Sequence, residues 1–469
     1  MELREIYRYT GVLYGVNLVA SFITFLVMIV ISRAISKEAL GIYGLFQAYL
    51  FMSIYMSGFG ISSGIVKFIA GRQVDIKQMH TLLAYVLSAM AAVFLSAGAI
   101  LLKQGKEVLG LAVLALPAYH VFDFSLSYAR GHLWKNVEWS ILLAGSLTTS
   151  ILVVLLLQWF PDYRGPMYGQ VLSIYVTAFG LLALFFLSTR GAERFSAIKG
   201  NWLKDFISIA LPVFIASALF SLNDVVDRLI IEKFLGLEMV GEYFLGMSLF
   251  NLLDRPAGLL ARVLLSHFSG SKSYSADPRL HIASVTRIIK INLTLLPLFA
   301  LAIITILPIV LPHFLNKDYS NAFNILAIVS IVMVVKAFEL VNSMLAIARN
   351  SPATNIYAQA IALIIYLPLA IVLIHLWGIF GIAVSVAVRW IAFSACQFFH
   401  MRRRQIATIS GWYLARALVA YLFALSLFTK APLTMPFVYL IAGIIMQLWT
   451  AREFNDLFRF LRPARLSEK

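Results

Sequence analysis

Three basic residues stand in the middle of apolar runs, where a charge is costly unless it faces a cavity or a partner. They are Arg255 in NLLDRPAGLLAR (251–262), Lys336 in VMVVKAFELVNS (332–343) and Arg389 in AVSVAVRWIAF (383–393). Arginine forks grip phosphate oxygens in pairs, and lysine adds a point charge. The chemistry these residues suit is binding of an anion with several phosphate oxygens; a cationic molecule would be repelled. Acids lie close to two of them. Asp254 adjoins Arg255, and Glu339 is one helical turn beyond Lys336, with Asn342 continuing that face. Arg389 has no acid in its own run, so it needs Asp254, Glu339 or a bound phosphate. Pro256 removes a backbone donor and crowds the preceding turn, so a kink is expected there, and Gly258 adds freedom. Pro256 and Gly258 are therefore hinge candidates.

Other polar residues in apolar surroundings suit gating or ion coupling. SLNDVVDRLI (221–230) carries Asp224 and Arg228 at the i,i+4 spacing of a helical ion pair. Arg228 could contact another part of the chain as a gate or reach outward to the membrane interface. Asp123 could pair with Arg130, two turns on, or carry a proton. Asn17 and Gln47 are the main deep polar groups of the first two apolar segments, and packing hydrogen bonds explain them equally well. Catalytic and metal chemistry find no support. Cys396 is the single cysteine, and the eight histidines show no HExxH or clustered spacing.

The elements that position these residues are membrane helices. Hydrophobic residues make up 61% of the 469 and charged residues 13%, against roughly half and a quarter in a soluble domain. A spanning helix needs about 20 mostly apolar residues. Fourteen segments qualify: 9–32, 41–66, 79–101, 108–129, 137–159, 167–188, 204–231, 240–268, 285–311, 322–348, 354–376, 379–400, 410–428 and 432–450. The fold class is an all-α polytopic membrane protein. Basic residues of the connections split twenty-four to eight between the two sides. Such an excess marks the cytoplasmic side, so both termini are expected in the cytoplasm and the protein in the plasma (inner) membrane. The net charge of +16 is then membrane topology, with no nucleic acid implied.

The chain also repeats itself. ISRAISKEALGIY (31–43) returns as IEKFLGLEMVGEY (231–243), with Ile31, Glu38, Gly41 and Tyr43 recurring 200 residues later. SYARGHLWKNVEW (127–139) is echoed by AIARNSPATNIYA (346–358), and MYGQVLSIYV (167–176) by IFGIAVSVAV (379–388). Six spans separate the copies, so the repeat is parallel, about an axis along the membrane normal. Two lobes of six helices follow, residues 1–195 and 196–405, with two further helices and a basic tail in 406–469.

Two such lobes plus two helices resemble the MOP (MATE-like) superfamily and, within it, Wzx-type polysaccharide and O-antigen flippases. The resemblance rests on SRAISKEALGIYGLFQAYLFMSIYMSGFGISSGIVKFIAG (32–71), ALPVFIASALFSLNDVVDRLIIEKFLGLEMVGEYFLG (210–246) and GIFGIAVSVAVRW (378–390), and covers residues 1 to about 400. It implies lobes facing a central cavity and alternating access that carries a lipid-pyrophosphate-linked oligosaccharide to the outer leaflet. Under it, Arg255, Lys336, Arg389, Asn342 and Asn17 bind substrate. Asp254, Glu339, Asp224, Arg228 and Asp123 couple or gate, with no cofactor beyond a coupling ion, proton or sodium. The protein would act as a monomer in the bilayer beside polysaccharide polymerase and glycosyltransferases. The drug-exporting MATE branch often carries an acid in its first helix. Here that helix has Asn17 and no acid between Glu5 and Glu38. Rival readings are an ion-coupled drug exporter, a flippase of another lipid such as peptidoglycan precursor, and a membrane-embedded polysaccharide polymerase or ligase. The polymerase or ligase would need a long outer loop, which the chain lacks.

Overall fold

The computed structural model describes the backbone of residues 3–188 except 73, and of 195–270, 278–315, 319–348, 353–403, 411–428, 430–446 and 448. Within these it describes the side chains of all but 3–14, 17–18, 135, 187–188, 223–224, 254–270, 278–285, 287–288, 291, 344–348, 401, 411 and 444. No strand occurs among the described residues. A chain crossing lipid must satisfy every backbone polar group within itself, and the helix does so with local bonds alone.

The first half comprises α1 (Leu3–Ala34), α2 (Lys37–Ser57), α3 (Ile61–Ala70), α4 (Ile76–Lys103), α5 (Glu107–Leu114), α6 (Leu116–Gly131), α7 (Lys135–Trp159) and α8 (Arg164–Ser188). The second comprises α9 (Trp202–Leu235), α10 (Leu237–Gly270), α11 (Pro278–Val310), α12 (Ser320–Val329), α13 (Val332–Ala348) and α14 (Ala353–Arg403). Helices α15 (Gly411–Leu425) and α16 (Met435–Ile445) follow and pack on α11. Each of the fourteen apolar segments is mainly helical over its described part. Eight described helical stretches, one of them α5 and α6 taken together, are long and apolar enough to cross a membrane, and nine if α12 and α13 count as one. Large apolar side chains such as Phe179, Leu184 and Ile364 point outward, as a lipid-facing surface requires.

Several spans are broken, and the breaks have local causes. Between α2 and α3 the chain turns at Phe59 and Gly60, both with positive φ. Between α5 and α6 it bends at Ala115, with Pro117 in the first turn of α6. α12 and α13 meet at 50° across Ser330–Ile331. α14 is two arms joined at Gly378, whose φ of 57° and ψ of −135° are not helical. The kink expected at Pro256 lies in a stretch whose side chains are outside those described.

The 167–176 and 379–388 echo carries a glycine at the same position, and both glycines pack tightly. Gly169 of α8 lies so close to α7 that an added Cβ would come within 2.5 Å of Val153 Cα. Its echo Gly381 lies equally close to the first arm of α14, 2.0 Å from the Leu373 carbonyl oxygen by the same measure. The two halves meet along α1 and α2 on one side and α9 and α10 on the other.

Candidate functional site

The second half holds a buried polar core on four helices. Asp227 of α9 is 1% exposed and lies beside Arg389 of the second arm of α14, with Oδ1 and Nη1 3.6 Å apart. The Tyr243 hydroxyl of α10 donates to Asp227 Oδ2 at 2.8 Å, and the Tyr366 hydroxyl donates to Oδ1. The Arg389 guanidinium also lies over the Tyr366 ring, 5.0 Å from its centre. One carboxylate thus gathers an arginine and two phenols from three other segments. Such a pair withstands burial only when hydrogen bonds satisfy its remaining lone pairs, and the two tyrosines supply them.

Beside it, Lys336 of α13 is buried between two rings. Its Nζ lies 4.2 Å from the centre of Trp390 and 5.3 Å from that of Phe250. Phe220 of α9 packs edge-on against Trp390. Ring faces attract a cation, the more so when water is excluded. Further along α13, the Ser343 hydroxyl donates to Glu339 at 2.7 Å. Gln397 Nε2 donates in turn to Ser343 Oγ and to Asn355 Oδ1. This chain ties α13 to both arms of α14. Asn342, 1% exposed, spends its amide hydrogen on the Phe338 carbonyl of its own helix, while its Oδ1 has no hydrogen-bond partner among the described residues.

Several expectations change. Among the described residues the acid beside Arg389 is Asp227, which sequence reasoning passed over. The signal was present, since Asp227 stands beside Arg228 in SLNDVVDRLI and Arg389 needed an acid at depth. Asp123 does not hold Arg130. Arg130 Nε donates to Glu138 Oε1 of α7 at 2.7 Å, and both side chains are buried. Asp123 instead accepts from the Ser62 hydroxyl of α3. Arg228 does not reach outward to the interface. It is buried, donates to the Gly44 carbonyl of α2 across the halves, and lies over the Phe244 ring. The side chains of Asn17, Asp224, Asp254, Arg255 and Pro256, and Gly258 with them, lie outside the described residues. The first half answers the Asp227 core with neutral groups. Gln47 Nε2 donates to the Tyr43 hydroxyl at 2.7 Å, which itself meets Gln170 Oε1 at 2.9 Å. Tyr43 and Tyr243 are partners in the 200-residue repeat, yet only Tyr243 faces a charge.

The 31–43 and 231–243 repeat brings the backbones of the two halves into direct contact. An added Cβ on Gly41 would sit 2.0 Å from the Leu237 carbonyl oxygen, and one on Gly241 would sit 2.2 Å from that of Lys37. Each glycine thus faces the start of the other half's helix. Only a residue without Cβ lets the backbones approach this closely. Lys37 Nζ reaches across to Glu242 at 2.6 Å and to Glu238 at 3.7 Å. The Tyr319 hydroxyl donates to the Ser32 carbonyl at 3.1 Å, and the Phe244 ring packs edge-on against Tyr43. The halves are in direct contact at this end.

The model of the polysaccharide biosynthesis protein family matches residues 6–265, more than half of the chain. This protein therefore belongs to the polysaccharide biosynthesis protein family. Its fold is that of the MATE transporters of the MOP superfamily. The MATE multidrug transporter DinF-BH, solved in complex with rhodamine 6G, superposes with a TM-score of 0.67 at 16% identity, covering 87% of this chain and 98% of that one. A multidrug-resistance MATE transporter of the MOP superfamily in an outward-facing conformation gives 0.65 at 16% identity, over 85% and 96%. Among curated proteins none matches the sequence significantly. The chain is a multi-pass membrane protein.

Proposed function

We propose that this protein is a transporter that moves a lipid-pyrophosphate-linked oligosaccharide from the cytoplasmic to the outer leaflet, for cell-surface polysaccharide synthesis. The observation that carries this reading is a polysaccharide-biosynthesis family joined to the fold of an exporter. A chain built almost wholly of membrane helices, working in glycan assembly, has the bilayer crossing itself as its natural task. In this reading fourteen helices form lobes 1–195 and 196–405 plus the 406–469 segment, with both termini cytoplasmic in the plasma membrane. The protein acts as a monomer and not as an enzyme. The Gly41–Gly241 seam then lies at the outer face, and the structure is closed there.

The buried cations supply an anion site in the second half. Lys336 leaves its rings, and Arg389 exchanges the Asp227 carboxylate for a phosphate oxygen of similar charge and geometry. Asn342 Oδ1 would accept from a sugar hydroxyl. Because Asp227 already neutralises Arg389, binding is an exchange of partners and can be coupled to lobe movement. The buried carboxylate favours one rival, an exporter of cationic drugs that binds at Asp227. Equilibrium binding to purified protein separates the two. A short lipid-pyrophosphate oligosaccharide should bind, and Lys336→Met and Arg389→Met should weaken it at least tenfold. Binding of rhodamine 6G that is lost in Asp227→Asn, with no binding of the glycolipid, would replace this reading with the rival.

A further inference from the structure

We propose that His120 and Asp123 of α6 form a proton-binding site in the first half, placed to act on the break between α2 and α3. Its existence stands independently of the transporter reading; its use in coupling rests on that reading.

His120 is 1% exposed, and its Nε2 lies 2.7 Å from the Ser57 hydroxyl. That contact fixes the tautomer. Ser57 Oγ also lies 2.6 Å from the Ser53 carbonyl oxygen, a separation that requires a hydrogen between the two oxygens, and only the hydroxyl can supply one. Ser57 therefore accepts from His120, so Nε2 carries the hydrogen. Nδ1 is left with a bare lone pair, buried and without a hydrogen-bond partner among the described residues. One turn further along α6, the Asp123 carboxylate accepts from Ser62. A proton arriving from water adds to the Nδ1 lone pair, and the site gains one positive charge one helical turn from the carboxylate. Tyr119 and Phe124 flank the ring with their own rings, which keeps that charge out of water and dependent on Asp123.

The partners bracket a hinge. Ser57 ends α2, Ser62 lies in the first turn of α3, and Gly58 packs against the His120 ring between them. Gly60, at φ +67°, touches α9 of the second half so closely that an added Cβ would come 2.0 Å from the Ala210 carbonyl oxygen. Charging the imidazole leaves both bonds in place, makes Nε2–H a stronger donor to Ser57 and sets a positive charge one helical turn from the carboxylate that Ser62 binds, on either side of a turn that bears directly on the other half. Other titratable groups on the helices packed around α6 have their own places. His80 of α4 lies at Tyr128, Glu138 of α7 at Arg130, and the Tyr175 hydroxyl of α8 at the Leu114 carbonyl. Lys67 of α3 is buried five residues beyond Ser62.

The test is a pH titration of purified protein labelled with 15N-histidine, read by the ring nitrogens, with His120 assigned by its loss in His120→Gln. Neutral His120 should show the Nε2–H tautomer, and acid should add the hydrogen at Nδ1. Asp123→Asn should move the midpoint down by at least one pH unit, since the imidazolium loses its counter-charge. An Nδ1–H tautomer, or a midpoint that Asp123→Asn leaves in place, overturns the site. A midpoint displaced by sodium at fixed ionic strength makes it a sodium site and overturns the proton assignment. In proteoliposomes, transport that responds to a pH gradient in wild type but not in His120→Gln of equal yield supports coupling. Equal responses in both overturn the coupling while leaving the titration result standing. Failure of any glycolipid movement in wild type would count against the transporter reading alone.

Discussion

Substituting Gly241 with alanine should open the seam between the halves. The new methyl carbon would sit 2.2 Å from the Lys37 carbonyl oxygen, over 1 Å inside a normal contact. The oxygen belongs to one helix backbone and the methyl is fixed directly to the other, so no side chain can swing away; α2 and α10 must part. Overpacking of this kind costs about 1–3 kcal/mol. The cost falls on the closed arrangement alone, because parted helices have room for a methyl. The closed-to-open ratio should therefore drop by roughly 5- to 150-fold. Gly41→Ala, facing the Leu237 carbonyl at 2.0 Å, should act in the same way, as the internal repeat demands. Spin labels at Arg33→Cys and Lys233→Cys, two exposed repeat-related positions, report the separation once Cys396→Ser removes the native thiol. Pulsed dipolar spectroscopy should show a longer, broader distance distribution in either alanine variant. An unchanged distribution in well-folded protein would refute the claim that this glycine pair holds the halves together.

Lys37→Met should open the same seam more mildly, because Glu242, 3% exposed, is left buried without the lysine's charge; the same spin pair reads the change. Asp227→Asn leaves Arg389 without its acid. Breaking a buried pair from one side costs about 3–5 kcal/mol, so thermal unfolding in detergent should occur well below wild type, and Asp227→Asn/Arg389→Gln should recover part of the loss. Trp390→Leu removes the nearer ring from Lys336, a contact worth roughly 0.5–2 kcal/mol that binding has to break, and should raise glycolipid affinity by about 2- to 30-fold, whereas Lys336→Met lowers it. Glu138→Gln should destabilise the protein through Arg130 while leaving the titration of His120 unmoved, which separates that ion pair from the Asp123 site.

Much of the architecture can be read from the chain because lipid enforces simple rules. Long apolar runs must be helices. The 200-residue repeat locates the seam, since Gly41 and Gly241 recur where two helices can touch only without a Cβ. The breaks are less legible. Pro256 stands out in sequence as a hinge, while the described breaks fall at Gly58–Gly60, Ala115, Ser330–Ile331 and Gly378, where no proline interrupts a helix interior. The buried pairs are least legible. Arg130 and Glu138 lie on successive helices, and Asp227 and Arg389 are 162 residues apart, so their meeting depends on how helices rotate against one another. Periodicity along one helix does not record that rotation. His120 is silent in sequence, because a single histidine in an apolar stretch says nothing until Ser57 is seen to hold its Nε2.

The central claim is movement of a lipid-pyrophosphate oligosaccharide across the bilayer, using the basic groups of the second half. Its most direct measurement places a fluorescent glycolipid of this class in proteoliposomes and follows its exposure to an enzyme confined outside. Wild type should bring inner-leaflet glycolipid within reach of the enzyme, and Lys336→Met and Arg389→Met, at equal yield and fold, should slow this at least tenfold. Exposure no faster than in protein-free vesicles would contradict the claim, and full activity in both variants would remove these two residues from the path.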